Sequence, residues 1–256
     1  MSDIACEARE EPWYGIDGPY TGTAPCFVPK SEVPAAAMLE QNWRTIRDEL
    51  DAHLRARAQR FRKNFDPYGF DIAGWKTINF MTYLRRYPEN QREFPRTVAL
   101  LEQIPDLTSA FLNLLEPRTR IPPHYGDSNC IWRCHLGLIV PAGAEQCGIE
   151  VGEERRGWCE GEVLVFSDAH RHSAWNDSDA PRVILIFDVM KPAYRAEKEK
   201  ICARVLAAIA LLWAEPRWRL ISRLPRPALR GLHVVLGAGA RLVLALQRGG
   251  RAGAIR

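Results

Sequence analysis

The apolar positions of this chain change their period twice. Between Ser31 and about Arg60, Met38, Leu39, Trp43, Ile46, Leu50 and Leu54 recur at spacings of three and four, which predicts a helix with one buried face. Ahead of it, residues 1–30 are rich in Gly, Pro and Tyr and predict an extended arm over the body. After it, "FDPYGFDIAG" is turn-rich, "WKTINFMTY" has the β-branched and aromatic content of a strand, and "FPRTVALLEQIP" predicts a short helix between prolines. From Ser109 onward the texture is short strands closed by turns: "SAFLNLL", "RCHLGLIVP", "CGIEV", "GEVLVFS", "HRHSAW" and "RVILIFDV". That spacing predicts an antiparallel sandwich or jelly roll. Past Pro192 a helical period returns in "AYRAEKEKICARVLAAIALLWA", and the remainder is apolar, arginine-rich and broken by Pro225 and Pro227. The expected division is an arm (1–30), a β domain with an N-terminal helix (31–192) and a helical C-terminal segment (193–256).

Composition adds little until charge is resolved along the chain. With 46% hydrophobic and 26% charged residues, the 256-residue chain is of ordinary globular type and long enough to bury a core without staples. Residues 201–256 hold ten arginines and one acid, Glu215, for a net +9; since the whole chain is +4, the first 200 residues stand at −5. A mildly acidic body with a basic tail points to an anionic partner for the tail. The seven cysteines (Cys6, Cys26, Cys130, Cys134, Cys147, Cys159 and Cys202) form no CxxC pair and predict reduced thiols rather than a zinc site. No signal-peptide pattern opens the chain, and no run reaches about 18 uninterrupted apolar residues, so a cytoplasmic protein is expected.

Histidines at two strand ends of a jelly roll frame a metal site. Imidazole binds Fe(II), and a facial set of two histidines and one carboxylate leaves positions open for co-substrate and oxygen. His124 and His172 are the candidates, 48 residues apart and so on different strands. Two residues after His124, where many such sites carry an acid, stands Gly126.

The segment "PHYGDSNCIWRCHLGL" resembles that of the aspartyl/asparaginyl β-hydroxylase family, iron(II)- and 2-oxoglutarate-dependent oxygenases on a double-stranded β-helix. "GWCEGEVLVFSDAHRHSAWNDSDAPRVILIFDVMKP" matches too: Trp175 and Arg182 follow His172 at the family's offsets of three and ten. Weaker similarity reaches back through "PRTVALLEQIP" to "GWKTINF", so that about residues 70–192 are covered. The resemblance implies a mainly β, cupin-like jelly roll with flanking helices, using Fe(II), 2-oxoglutarate and O₂. Iron would be held by His124 and His172 alone, with Gly126 in the vacant carboxylate position, leaving space for water or substrate. Arg182 would bind the distal carboxylate of 2-oxoglutarate, with Arg133 and His135 also on the co-substrate; these two share a face of one predicted strand. Asn113 stands where relatives often have serine, and an aromatic expected near "WKTINFMTY" falls on Met81, or on Tyr83 if the register slips by two. Asp127 points away from His124 if the segment is extended, and a turn after Gly126 would bring it back. His170 and His172 share a strand face; the offsets favour His172 as ligand, with His170 at the pocket rim.

Family substrates include Asp or Asn side chains, in peptides, free or carrier-bound, which are the expected substrate here, and lipid acyl chains, the alternative. The first implies hydroxylation of the β-carbon and a cationic rim, for which Arg171, Arg155 and Arg156 are candidates. The second suits the tail, whose Trp, Leu and Arg mixture resembles interfacial membrane segments. Packing on the body, a homodimer interface and peripheral contact with the inner face of a membrane all stay open for residues 193–256, and no nucleic-acid motif accompanies the arginines. An oxidative halogenase and a non-catalytic binding module with a degenerate metal site are the other classes considered.

Overall fold

The computed structural model describes residues 9–56 and 61–252. The strands are β1 (Phe27–Val28), β2 (Arg62–Lys63), β3 (Trp75–Thr82), β4 (Arg85–Arg86), β5 (Leu107–Leu115), β6 (Thr119–His124), β7 (Ile131–Ile139), β8 (Cys147–Val151), β9 (Glu154–Gly157), β10 (Val163–Phe166), β11 (His172–Asn176) and β12 (Arg182–Met190). A larger sheet runs β1-β10-β7-β12-β5-β3-β2, with β4 on β3, and a smaller one runs β6-β11-β8-β9. Between β5 and β12 the chain passes repeatedly from one sheet to the other, which makes the sandwich a double-stranded β-helix.

Strand alternation decides what each face meets. On β7, Trp132, Cys134, Leu136 and Leu138 join Val183, Leu185, Phe187 and Val189 of β12 in the core under the N-terminal helices. The opposite faces of these strands turn between the sheets, where Ile184 and Ile186 pack with Ile149, Val151, Trp158 and Phe166. A strand buried on both faces reads as a continuous apolar run, so a charged residue within one needs a partner. β7 and β12 carry three: Arg133, Arg182 and Asp188.

The helices are α1 (Ala35–Gln41), α2 (Trp43–Arg55), α3 (Pro88–Gln91), α4 (Pro95–Leu101), α5 (Lys198–Ala214), α6 (Arg219–Ser222) and α7 (Arg226–Ala252). The single helix expected from Ser31 is broken at Asn42, whose backbone leaves the helical region (φ −107°, ψ 9°) while its side chain caps the Met38 carbonyl at 2.9 Å. Residues 57–60, the expected end of that helix, lie outside the described residues. Glu49 of α2 ties α4 down: its carboxylate accepts from the Arg96 and Thr97 amides at 2.9 and 2.8 Å and from the Thr97 hydroxyl at 2.6 Å. The arm is more than a cover. Residues 27–28 add a strand to the larger sheet, and Tyr14 is buried against the body. Cys26, Cys130, Cys134, Cys147, Cys159 and Cys202 form no disulfide; Cys6 lies outside the described residues.

The C-terminal segment packs on the body through α5, whose Ile201, Cys202, Val205 and Ala208 meet Tyr14, Tyr83, Ile131 and Tyr194. Residues Arg226–Gln247 are long and apolar enough to cross a membrane by length and composition, which Arg230, His233 and Arg241 conceal from a search for uninterrupted runs.

Candidate active site

Strands β6 and β11 pair so that His124 and His172 are direct cross-strand partners, with a bulge immediately after His172. The two imidazole centroids are 4.2 Å apart. Each Nδ1 lies on a backbone carbonyl, that of Pro122 at 2.9 Å for His124 and that of His170 at 2.8 Å for His172. Donation from both Nδ1 atoms assigns the tautomer that leaves each Nε2 with a lone pair. Burial lowers the pKa of His124; burial, and then the neighbouring His124, holds His172 down at about 3. Two neutral, carbonyl-oriented imidazoles at one point are what a divalent metal needs. Among the described residues no group of three or more His, Cys, Asp or Glu is arranged to hold a metal ion.

The space beside Gly126 is not open, contrary to the sequence-based expectation. A Cβ built on Gly126 would lie 1.9 Å from Oδ2 and 2.3 Å from the backbone oxygen of Asp168, so this acid fills the place. The Gly126 amide donates to that backbone oxygen at 2.9 Å, and the Asp127 amide donates to Asp168 Oδ2 at 3.1 Å. Asp168 Oδ1 is 3.6 Å from His172 Nε2, which makes this the carboxylate beside the histidines. Asp127 turns elsewhere: its Oδ2 accepts the Tyr83 hydroxyl at 2.6 Å, and burial, then repulsion from Asp168, pushes its pKa up to about 6. Tyr83 lines the cavity, while Met81 is buried in the core under the helices.

Arg133 and His135 do share a face and line one cavity, but their partners differ. Arg133 is a strut. Its guanidinium grips Asp188, its cross-strand partner, at 2.8 and 2.9 Å, and also binds Asp168. Burial works against its charge, yet Asp168 and Asp188 outweigh burial and raise its pKa well above the usual range. His135 accepts from Trp158 Nε1 at 3.2 Å through Nδ1, and its buried Nε2 has no partner.

Arg182 is the opposite case. It is 1% exposed, donates to Asn113 Oδ1 at 2.9 Å, and lies 4.7 Å above the Trp158 ring, while its Nε has no partner. Among the described residues no carboxylate pairs with it, and burial lowers its pKa to about 10. A buried cation held by one amide and one aromatic ring is a receptor for an anion.

The remaining expectations separate from the site. His170 is not on a strand face with His172, because β11 begins at His172; its Nε2 meets the Ala24 carbonyl at 2.6 Å, its ring stands edge-on to Tyr20, and only its carbonyl serves the site. Trp175 faces away from the cavity, lying against Gly148 with Nε1 donating to the Glu145 carbonyl at 3.2 Å. Arg171 is exposed, Arg155 binds Glu150, and Arg156 lies over the Phe27 ring at 4.2 Å; none lines the cavity. Asp168, Asp188 and Trp158 were missed from sequence. Asp188 carried a signal, as a lone acid inside "RVILIFDV". Asp168, in a turn four residues before His172, carried little.

The cavity measures about 640 Å³ and runs from Asn113, His135 and Arg182 past the histidines to its mouth. Its outer lining includes Phe65 and Tyr68 and, from α5, Leu206, Ile209 and Trp213, together with the polar Asn64, Asp66 and Arg85. The volume sits within the usual range for ligand sites, about 300–1,000 Å³.

Over 165 residues the chain is 34% identical to the ornithine lipid ester-linked acyl 2-hydroxylase of Rhizobium tropici, covering 62% of the chain and 58% of that protein. Over 167 residues it is 32% identical to the human aspartyl/asparaginyl beta-hydroxylase, covering 63% of the chain and 22% of that protein. The chain therefore spans less than two thirds of the length of either relative. Among solved structures, the non-heme alpha ketoglutarate dependent carbocyclase SnoK from nogalamycin biosynthesis is similar at a TM-score of 0.42 and 12% identity, covering 59% of this chain and 76% of that one. Residues 40–192 match the aspartyl/asparaginyl beta-hydroxylase family, and a match that long, taking in both histidine strands and the sheet between them, makes the chain a member of it.

Proposed function

We propose that the protein is an Fe(II)- and 2-oxoglutarate-dependent hydroxylase whose substrate is the acyl chain of a lipid. The observation that carries the co-substrate reading is Arg182, a buried guanidinium with no carboxylate of its own, at the closed end of the cavity that holds the histidine pair. His124 and His172 would hold the metal, and Arg182 with Asn113 would take the distal carboxylate, by the bidentate geometry that suits arginine. When bound, iron would let O₂ act as the oxidant, one of its oxygen atoms going to an unactivated C–H as hydroxyl and the other to 2-oxoglutarate, which leaves as succinate and CO₂.

The chain's own residues do the rest. The two backbone carbonyls fix the imidazole tautomers, and Arg133 holds Asp168 beside His172. Trp158 closes the inner end of the cavity over Arg182, and the apolar side chains of the mouth exclude water from the reacting carbon.

The lining favours an acyl chain over an Asp or Asn side chain. None of Arg155, Arg156 and Arg171 lines the cavity, Arg133 is held by Asp168 and Asp188 with Asp127 at 3.8 Å, and Arg85, an exposed cation in the lining, lies over the Tyr87 ring. Phe65, Leu206, Ile209 and Trp213 offer contact to methylenes instead. The rhizobial relative, an acyl 2-hydroxylase by name, agrees with that choice. An anaerobic titration with Fe(II) and 2-oxoglutarate tests the site through the visible charge-transfer band of the keto-acid chelate, and succinate release tests the substrate. The expected result is a band lost in His124→Ala and His172→Ala and kept in His170→Ala, with succinate formed on an ester-linked acyl lipid. Turnover on an Asp-containing peptide and none on lipid would transfer the assignment to side-chain β-hydroxylation. A folded protein with no band would leave a binding module.

A further inference from the structure

We infer that the outward face of α6 and α7 docks the protein on an anionic lipid bilayer and seats the mouth of the cavity on that surface. The substrate reading above supplies the reason for such a surface; the docking itself stands on separate observations.

α7 is apolar on two sides, and only one of them is used. His233, Gly237 and Leu244, at spacings of four and seven, form the buried stripe. His233 Nε2 meets the Arg204 carbonyl of α5 at 2.8 Å, and Gly237 allows close approach, since a Cβ there would lie 3.0 Å from Arg204 Cγ. The far side carries Val234, Val235, Leu236, Leu242, Val243 and Leu246, between 39% and 67% exposed. At 3.6 residues per turn, the arc centred on Leu242 holds only Gly, Ala, Val and Leu from Ala228 to Leu246. An unbroken exposed apolar arc is not the surface of a free helix; it marks a contact.

What covers the arc follows from the charge around it. Arg230 and Arg241 flank it along one edge, and Arg219, Arg223 and Arg226 cluster where α6 meets α7, all five exposed. Trp218 and Leu220 beside them are 59% and 80% exposed. Tryptophan and arginine bordering an apolar face are the anchors of interfacial helices, the long arginine stems reaching back to headgroup level. A second copy on this face would set one +9 tail against another, whereas an anionic bilayer complements it. Although α7 is long enough to span, its packed stripe keeps it beside α5, so it lies along the surface.

The docking face continues to the cavity. α7 runs antiparallel to α5, with His233 near Arg204 and with Leu244 and Gln247 sharing a groove with Lys198. The start of α7 and all of α6 therefore lie toward the C-terminal end of α5. That end carries Leu206, Ile209, Ala210 and Trp213, one helical stripe, into the cavity mouth. A bilayer bound to α6 and α7 thus lies beside the entrance, and an acyl chain can enter without crossing water.

The test is vesicle flotation of the full-length protein with phosphatidylcholine alone and with one quarter phosphatidylglycerol. Binding to the anionic vesicles, weakened by salt, is expected, and Val235→Glu/Leu242→Glu should reduce it at least tenfold, since two charges then meet the acyl boundary. The variant should keep the Fe(II)–2-oxoglutarate band, which shows that the site is folded. Wild type that stays unbound on anionic vesicles, or a variant that binds them as tightly as wild type, overturns the proposal. So does a wild-type dimer that the same two substitutions dissociate with no change in flotation. A soluble short-chain acyl ester separates the two readings: turnover of it without flotation removes the docking alone, and flotation without acyl hydroxylation removes the substrate alone.

Discussion

Facial-triad logic says that placing an acid at position 126 should complete the iron site and tighten metal binding. The structure predicts the reverse for Gly126→Asp. The new Cβ would sit 1.9 Å from Asp168 Oδ2, 2.1 Å from its Cγ and 2.3 Å from its backbone oxygen. A side chain can swing away, but the backbone oxygen cannot, because it accepts the Gly126 amide at 2.9 Å in the same tight approach. Residue 126 must therefore move, which breaks that bond and drags His124, two residues upstream, out of line with His172. Overpacking costs about 1–3 kcal/mol and a lost buried hydrogen bond about 1 kcal/mol, so a loss of about 2–4 kcal/mol is expected. Urea unfolding reads this as a lower midpoint at unchanged slope, and titration with Co(II) as a spectroscopic probe should show weaker binding, not tighter. Adding Asp168→Gly removes the two side-chain contacts and leaves the backbone one, so it should restore only part of the stability. A Gly126→Asp protein with the wild-type midpoint and tighter metal would refute the reasoning.

Arg182→Met should fold, because a buried unpaired charge gives way to an apolar side chain, and its melting temperature should no longer respond to 2-oxoglutarate. For Arg182→Lys, loss of the bidentate fork should raise the KM for 2-oxoglutarate by roughly 100-fold, read in steady-state succinate assays. Asp168→Asn leaves Arg133 with Asp188 and the more distant Asp127, and kcat should fall while circular dichroism stays native. Glu49→Gln, remote from the cavity, should cost about 2 kcal/mol in denaturant unfolding without changing kcat, since it weakens three charge-assisted bonds that dock α4. Treatment with a chelator should abolish turnover, and Fe(II) alone should restore it.

The strands buried on both faces were legible because their apolar runs tolerate no ambiguity: β8 falls on "CGIEV" residue for residue, and β12 contains all of "RVILIFDV". Edge strands were not. β6 carries Pro122 and Pro123, which read as a loop, and is admissible as a strand only because it lies at the rim of the smaller sheet. β9, "ERRG", is a charged strand at the other rim, where charge guards an open edge. In the site, the histidine pair and Arg182, singled out by their offsets, come to line one cavity. His170 was misplaced because alternation was assumed to begin before the strand does. Asp168 escaped because its importance lies in a through-space meeting with Gly126, forty-two positions away in the chain, which no local pattern records.

On the proposed reading, leaving Arg182 without a carboxylate of its own would couple the survival of the protein to metabolism. A ligand that binds only the folded chain raises its stability with the logarithm of ligand concentration, by about 2.7 kcal/mol at one hundred times the dissociation constant. Proteases sample the unfolded fraction, so a chain bound to its dicarboxylate outlasts one without it. The same guanidinium that selects the co-substrate would then set how long each molecule persists, and enzyme abundance would fall when carbon supply falls, before any change in gene expression.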